Sequence, residues 1–403
     1  MAAGAAGGWR RPSTRNCSSA AQQSLLLELD YYSYICVKGV DAKKYLQGLC
    51  TNDVNQLNSS AKNCIAAAFL TPQGRIFADA ILYSRKSSIG SSSSSSSSNS
   101  AEGDDIIIET DKNLSKKLLQ YLIMYKLRSK VEISELSNAK TVFVTSCSSK
   151  NDDSNGINDA RISMYDIIAR SRDPRAEKFG ARFLVDCSNS GKQGADSQKD
   201  TYISYRMRHG MAEGLELVDR IPLECNLDLL HYISFSKGCY VGQELTARTK
   251  YKGLVRKRLL PFIPALPSRD SGRKTEEGHF EPLQAAFNDL LDETTSLHSA
   301  ITVGDKIVAK KEFLRASLSG PFASKGADVD SIDCGKVVAV DKNASVGIAL
   351  VSLQYVLSGA YTSDGLFSAQ SSGGDGAVVR VFRPLWFPDI DVVTGKKLDD
   401  FNS

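Results

Sequence analysis

The sequence predicts an α+β protein whose C-terminal part is a separate β-barrel or β-sandwich. Between residues 25 and 255, segments with helical periodicity alternate with short apolar runs that have strand character. From Arg256 onward the chain changes to short β-type runs separated by Gly, Pro and Asp turns. A chain of 403 residues is long enough for two or three modules, each with its own core.

The first elements follow from periodicity and turn residues. YSYICVK predicts a strand, and a turn at Gly39 leads into a helix that starts at Asp41. AKNCIAAAFL and RIFADAILYS are strand-like and are joined by a turn at Pro72 and Gly74, which predicts a β-hairpin. An amphipathic helix follows from about Leu114. DTYISYRMRHG then predicts a second long helix that stops at its terminal glycine.

Low-complexity and polar segments set the predicted domain limits. MAAGAAGGWRRPSTRNCSSAAQQS is rich in Ala, Ser and Arg and has no acidic residue before Glu28, which is typical of an organelle transit peptide. A disordered tail is the alternative. The predicted domains are a transit peptide at 1–24, an α+β region at 25–255 and a β domain at 256–403. The serine-rich loop at 87–104 is assigned no chemistry, and the polar stretches at 148–158, 188–199, 266–299 and 311–331 are predicted to be insertions.

Composition excludes several classes of protein. The net charge of +4 is too mild to indicate a nucleic-acid partner, so no specific nucleic acid is expected. No apolar run approaches the roughly 18–20 residues that span a bilayer, so no membrane partner is expected. Nine cysteines are scattered without any CxxC pair, which favours reduced thiols in a cytosol or an organelle matrix over a disulfide framework.

KGCYVGQE, residues 237–244, is the stretch most indicative of chemistry. Gly238 and Gly242 flank Cys239 and allow the backbone to approach a ligand closely. VGQELTAR has helical propensity, so free amides and the adjacent Lys237 would favour a thiolate. Such a thiolate could attack an electrophile or bind a soft metal or iron–sulfur cluster, whereas a free cysteine is more usually a small buried apolar residue. The nearest cysteine, Cys225, is fourteen residues away, so a cluster would need ligands from another chain.

A basic run follows the cysteine motif. Six positive charges lie between Arg248 and Arg258, where they could hold an anionic ligand or an acidic partner surface. The alternative is a solvated basic face.

Four segments resemble the YgfZ-type folate-binding family, a branch of the glycine-cleavage aminomethyltransferase (T-protein) superfamily. They are KGCYVGQELTAR, GVDAKKYLQGLCTND, FLTPQGRIFADAILY and RMRHGMAEGLELVDRIPLECNLDLL. The pattern is most similar to the mitochondrial branch of this family, the Iba-type iron–sulfur cluster assembly factors. The resemblance covers about residues 25–251 and a strand near Gly347.

The resemblance implies three lobes around a central cavity that accepts tetrahydrofolate: two interleaved α+β lobes and a C-terminal barrel. The transferases use an aspartate that corresponds to Asp79 and a glutamate that grips the pterin. Arg208 stands in place of that glutamate, and an arginine offers only donors to a pterin edge that needs an acceptor. Glu224 is a candidate replacement acceptor.

The leading hypothesis is an organellar factor that promotes maturation of four-iron clusters in client enzymes. The resemblance implies A-type iron–sulfur carrier proteins as partners, a transient shared cluster with Cys239 as ligand, and a location in the mitochondrial matrix, with the plastid stroma as the alternative. The second hypothesis is a folate-dependent aminomethyl transferase, which the superfamily resemblance also implies. The third hypothesis is a basic RNA-binding module. Further residues expected at the cofactor site are Lys237, Gly238, Tyr240, Gly242, Gln243, Glu244, Arg248 and Glu224.

Overall fold

The computed structural model describes most of the chain. It covers residues 24–57, 62–85, 105–145, 160–188, 196–264, 301–310, 331–343, 345–356, 366–370 and 377–388. The predicted transit peptide, the serine-rich loop and the insertions at 148–158, 266–299 and 311–331 lie outside these residues, apart from Ser24 and Ser331.

The described residues contain fifteen strands and five α-helices. The strands are β1 (Leu26–Leu29), β2 (Tyr32–Lys38), β3 (Cys64–Leu70), β4 (Ile76–Arg85), β5 (Asp105–Asp111), β6 (Glu132–Glu135), β7 (Ala139–Thr145), β8 (Asp166–Arg172), β9 (Gly180–Asp186), β10 (Lys257–Pro264), β11 (Lys306–Lys310), β12 (Ser331–Val340), β13 (Gly347–Ser352), β14 (Leu366–Gln370) and β15 (Ala377–Val381). The helices are α1 (Ala42–Gln47), α2 (Lys112–Tyr125), α3 (Asp196–Arg208), α4 (Gln243–Tyr251) and α5 (Leu353–Val356).

The N-terminal region is built on two antiparallel sheets. One has the strand order β3-β4-β5-β2-β6 and the other the order β1-β7-β9-β8. Consecutive strands β1 and β2 belong to different sheets, since β1 pairs with β7 and β2 pairs with β5 and β6. The two lobes are therefore interleaved through the start of the chain.

Successive side chains of β4 point to opposite faces, and the two faces pack against different parts of the protein. Ala80 and Leu82 pack in the apolar cluster that includes α1 and α2. Ile81 and Tyr83 point the other way, into a cluster shared with the second sheet. Because successive strand residues face opposite sides, Asp79 lies on this second face, between the sheets.

The C-terminal region is a closed barrel with the order β10-β13-β12-β11-β14-β15, closed by pairing of β15 with β10. The barrel fills its interior with apolar side chains that include Phe262, Ile307, Val337, Val351, Phe367 and Val379. Of the two C-terminal architectures that the sequence allowed, the barrel is the one observed. Arg258 of β10 is buried and forms a bidentate pair with Asp228, with N–O distances of 2.9 and 3.0 Å, which ties the barrel to the loop before the thiol motif.

Most elements in the first half match the predictions, with one correction. The insertion predicted at 188–199 is too long, because α3 already begins at Asp196. The second sheet was not predicted from periodicity, and neither was β14.

Candidate functional site

The segment that leads into the thiol motif is anchored by Lys237. Its ammonium group donates to the carbonyl oxygens of Gln47, Cys50 and Asn52, each at 2.7 Å. These carbonyls lie at and just after the C-terminus of α1, where the last carbonyls of a helix lack intrahelical partners. Lys237 therefore fixes the loop that carries Cys239 to the LQGLCTND segment. Its ammonium group is directed at backbone oxygens, a structural role that the sequence did not indicate.

Two glycines join the thiol loop to the β3–β4 hairpin. Gly242 precedes α4 with φ = 78°, in the left-handed region, and a Cβ there would lie 2.8 Å from Leu70 Cβ. Gly74 in the hairpin turn has φ = 82°, and a Cβ there would lie 2.9 Å from the carbonyl oxygen of Gly242. No side chain fits at either position without moving backbone. The hairpin turn and the start of α4 therefore form one close-packed unit.

Cys239 lies on the outside of this unit. Among the cysteines that the structure describes, Cys239 is the exposed one, whereas Cys187 is half-buried and the others are buried. Helix α4 begins at Gln243, so Cys239 lies four residues before the helix. The Gln243 amide donates to the Tyr240 carbonyl at 3.2 Å, which closes the turn before the helix.

The other motif residues divide between support and surface. Tyr240 is buried, and its ring lies 5.1 Å from the Lys237 ammonium. Gly238, Glu244 and Arg248 are exposed. Cys239 therefore lies on a surface loop, and its neighbours Lys237 and Tyr240 anchor that loop to the protein.

A second candidate site is a narrow cavity between the two sheets, which the side chains that line it largely fill. It is lined by Tyr32, Asp79, Ala80, Ile81, Glu109, Thr110, Asp111, Arg175, Arg182, Glu213, Gly214 and Tyr232. The lining residues come from both sheets and from the segments before and after α3. Of the residues predicted for the cofactor site or for catalysis, Asp79 is the one that lines it.

A buried ion pair joins the two sheets beside this cavity. Arg182 of β9 donates to Glu109 of β5, and both side chains are about 1% exposed. The second carboxylate oxygen of Glu109 accepts from the Tyr83 hydroxyl at 2.8 Å and from the Thr141 hydroxyl at 2.6 Å. Arg182 also reaches Asp173 at 3.2 Å. A buried pair is stable only when its remaining polar atoms are hydrogen-bonded, and these contacts supply those bonds.

The network continues toward α3. Arg175 holds Asp173 through two bonds of 2.8 Å and also donates to Glu213. Arg206 of α3 pairs with Glu216 at 2.5 and 2.8 Å and lies 3.5 Å from Glu213. Glu213 is therefore neutralised from two sides.

Asp79 and Glu213 titrate in opposite directions. Burial, reinforced by the charge of Glu213, raises the pKa of Asp79 to about 7, and Asp79 accepts from the Gly214 amide at 2.9 Å. Burial alone would also raise the pKa of Glu213, but the guanidinium groups of Arg175 and Arg206 outweigh it and lower that pKa to about 2. Glu213 therefore stays ionised, whereas the carboxyl group of Asp79 gains or loses its proton near neutral pH.

Several residues singled out in the sequence lie away from the cavity. Glu224 does not line it, and its carboxylate interacts with Lys257, Arg75 and Arg220. Arg208, in place of the pterin glutamate, does not line it either and interacts with Asp341 of the barrel region.

The basic run after the thiol motif also needs a correction. Arg258 is buried against Asp228, so it is not part of a basic surface.

The sequence did not identify the buried charged residues of the ion-pair network beside the cavity. These are Glu109, Asp173, Arg175, Arg182 and Glu213. Charged residues inside apolar strands, such as Glu109 in DIIIETD and Arg182 in GARFLVD, were the available signal. What the sequence could not supply was their partners, which lie far apart along the chain.

Within the described residues, no group of three or more His, Cys, Asp or Glu side chains could hold a metal ion. In the same part of the chain, no helix is long and apolar enough to cross a membrane.

Comparison of the fold with solved structures identifies its class. The glycine cleavage system aminomethyltransferase T from Bartonella henselae superposes with a TM-score of 0.53 over 93% of this chain and 88% of that chain, at 12% identity. At this identity the similarity concerns the fold alone. The predicted T-protein-like α+β fold with a C-terminal barrel is confirmed.

Sequence relatives identify the family, although no protein-family model matches the chain. The mitochondrial iron–sulfur cluster assembly factor IBA57 homologue of Neurospora crassa is 28% identical over 93% of this chain and 84% of its own length. The homologue of the same name from Dictyostelium discoideum is 31% identical over 64% of this chain and 67% of its own length. That of Neosartorya fischeri is 33% identical, and the match spans 62% of this chain and 60% of the relative.

The chain belongs to the IBA57 family of mitochondrial iron–sulfur cluster assembly factors. The predicted family and the predicted mitochondrial location are confirmed.

Asp79→Asn should make stability less sensitive to pH. An acid whose pKa is raised on folding destabilises the folded state when it is ionised, so the unmodified chain loses stability as pH rises from about 4 through 7. Asparagine keeps the acceptor for the Gly214 amide but cannot ionise. We expect the variant to be more stable than the unmodified chain above pH 8, by on the order of 3–4 kcal/mol, and similar to it near pH 4. Urea unfolding between pH 4 and 9 measures this.

Glu213→Gln provides the matched comparison with the opposite sign. A carboxylate with a lowered pKa stabilises the folded state above its unfolded pKa, and this contribution is lost as pH falls from about 4.5 toward 2. The variant should therefore be less stable at pH 7 by about 3–5 kcal/mol, because Arg175 and Arg206 lose a buried partner. Equal pH profiles for the two variants would contradict the assignment.

Lys237→Met should loosen the thiol loop. The substitution keeps the apolar stem but leaves three carbonyl oxygens without their donor, so we expect a loss of about 2–3 kcal/mol and faster local opening. Hydrogen exchange should accelerate at residues 234–242, including the Val241 amide that donates to the Gly48 carbonyl. Lys252→Met is the control, since Lys252 is exposed. Unchanged exchange in Lys237→Met would show that the loop does not need this anchor.

Proposed function

We propose that this protein promotes the maturation of four-iron clusters in mitochondrial client enzymes, with Cys239 as its cluster ligand and an A-type iron–sulfur carrier as its partner. The observation that carries the proposal is the exposure of Cys239 on a loop that Lys237 anchors to the end of α1. A thiolate is a suitable ligand for iron, and an exposed thiol is accessible to a second protein. The family relationship supports the same reaction class.

The ligand count explains why a partner is needed. A cluster takes several cysteine ligands, and the described residues offer no group of ligands around Cys239. The other described cysteines are half-buried or buried, and burial raises the pKa of several of them, including Cys64 and Cys225, to about 12. In this proposal the remaining ligands come from the carrier, so that both proteins ligate the cluster while it is transferred.

The cavity is the proposed site for tetrahydrofolate. The amino-pyrimidine edge of a pterin presents donors, and it needs an acceptor such as a carboxylate. Glu213 already accepts from Arg175 and from the hydroxyls of Tyr32 and Tyr202. The carboxyl group of Asp79 accepts from the Gly214 amide and keeps further acceptor capacity. In this proposal Asp79 accepts from the amino-pyrimidine edge, and a bound folate would supply one-carbon or redox chemistry.

Aminomethyl transfer is not proposed. The residue that stands in place of the pterin-gripping glutamate is Arg208, which lies outside the cavity lining beside Asp341.

Cys239→Ser tests the ligand assignment. The anaerobic protein is mixed with an A-type carrier, iron and sulfide, and complex formation is followed by visible absorption and by size-exclusion chromatography. We expect the absorption of the shared cluster and the cluster-dependent complex to be lost in Cys239→Ser. Cys187→Ser is the matched control, because Cys187 is a half-buried thiol just after β9 and should behave as the unmodified chain. Unchanged absorption in Cys239→Ser would remove Cys239 from the ligand role.

Calorimetry with tetrahydrofolate tests the cavity. At pH 8, where Asp79 is mostly ionised, Asp79→Asn should weaken binding about ten- to hundredfold, because it replaces a charged acceptor by a neutral one. Glu224→Gln is the control and should bind as the unmodified chain does, since Glu224 does not line the cavity. Weakened binding in Glu224→Gln alone would transfer the acceptor role to Glu224.

A further inference from the structure

We propose that the C-terminal end of α4 and the segment after it form the docking surface for an acidic face of the protein that shares the cluster with Cys239. The inference rests on the proposed function and adds where the partner binds and by what chemistry it is recognised. We call this the α4 docking surface. It consists of Phe235, Arg248, Lys250, Tyr251, Lys252, Leu254 and Arg256.

The surface is continuous with the thiol loop. Phe235 lies four residues before Cys239, and its ring packs edge-on against Tyr251 with a centroid distance of 6.4 Å. The Lys250 ammonium lies 5.3 Å from the centre of the same ring. The C-terminal end of α4 therefore packs against the segment that leads to Cys239. A protein that binds the thiol approaches this end of the helix as well.

The surface is cationic, and its charges are available. Arg248, Lys252 and Arg256 are exposed, and within the described residues none of the three belongs to an ion pair. The acidic residue of the helix, Glu244, lies in its first turn, at the opposite end. Arg258 is excluded because its charge is neutralised by Asp228.

Helix stabilisation accounts for only part of this charge. Arg248 and Lys250 lie in the last turn of α4, where cations interact favourably with the helix dipole. Lys252 is the C-cap residue and lies at the same end of the dipole. Arg256 lies four residues beyond the C-cap, where the dipole effect has fallen off, so its charge is not explained by the stability of α4.

Exposed apolar groups favour a protein partner. Tyr251 is 64% exposed and Leu254 is 47% exposed, and in sequence both lie between cationic residues. Tyrosine and arginine are the residues enriched at the energetic centres of protein interfaces. A single-stranded nucleic acid would need several aromatic rings free to stack on bases, whereas Phe235 is already engaged with Tyr251 and Lys250.

The charge fixes the chemistry of the partner. A cationic surface beside the thiol steers a negatively charged protein face toward Cys239 and orients it before the sulfur contacts form. The expected partner therefore carries Asp and Glu side chains around its own cluster cysteines.

The double charge reversal Lys252→Glu/Arg256→Glu tests the surface in the full chain. Association with the cluster-loaded A-type carrier is measured by stopped-flow at several salt concentrations. We expect the association rate at low salt to fall about tenfold and its salt dependence to weaken, with the dissociation rate changed far less. Leu254→Ser should instead raise the dissociation rate. Thiol titration of Cys239 and the thermal midpoint should match the unmodified chain, since these side chains are exposed.

Lys306→Glu/Lys336→Glu is the matched control. These exposed lysines face each other on β11 and β12, and β11 lies three strands away from β10 around the six-stranded barrel. Reversal of their charges should leave the association rate unchanged.

The outcomes separate the two proposals. A complex that forms through Cys239 at the same rate in the Lys252→Glu/Arg256→Glu variant overturns the docking surface and leaves the cluster proposal intact. Equal slowing by both charge reversals also overturns it, because the effect would then be one of net charge. Absence of any complex with the unmodified chain overturns both. Salt-sensitive binding of oligouridylate RNA that the Lys252→Glu/Arg256→Glu variant alone loses, with carrier association unchanged, would assign the surface to nucleic acid.

Discussion

The ion pair between Arg182 and Glu109 is the contact on which the arrangement of the N-terminal region depends. It joins β9 of one sheet to β5 of the other in a setting almost without water, where an unpaired charge is costly. Each partner is then committed to its place by further bonds, which extend through Asp173 and Arg175 to Glu213. The two sheets are thus held at a separation that leaves a polar cavity between them, lined by the same residues that hold them together.

The inner cavity and the outer thiol are separate sites on one framework. Asp79 lies in β4, the strand that continues directly from the hairpin turn, and that turn packs on the start of α4. Lys237, in the loop that carries Cys239, donates to carbonyl oxygens at the end of α1 and so anchors this loop to the same sheet. The thiol of Cys239 is exposed on the outside of this framework, as the proposed exchange of a cluster with another protein requires.

The sequence predicted those parts of the fold that depend on local patterns. The β3–β4 hairpin, α2 and the barrel strands other than β14 follow from alternation, turn residues and amphipathic spacing. The second sheet did not follow, because its strands are separated by long polar segments and β1 pairs with β7 across more than a hundred residues. Of the site, the motif and a family resemblance predicted Cys239 and Asp79. The arginines and Glu213 could not be predicted, since nothing local shows which buried charges meet. Glu224, the candidate replacement acceptor, does not line the cavity, because the position of the segment before the thiol motif depends on contacts that sequence patterns do not show.

The contact between Gly74 and Gly242 has a genetic consequence. In a buried ion pair, an exchange at one position can be answered by an exchange at the other, since charge and size can be traded between partners. Two glycines that touch through their backbones have nothing to trade, because neither can become smaller. A substitution at Gly242 therefore has no second-site suppressor at Gly74. A Cβ at Gly242 would meet the Thr71 carbonyl oxygen, the Leu70 Cβ and the Gly74 Cα, and a shorter side chain removes none of these atoms. A search for suppressors of such an allele among these neighbours should therefore yield none.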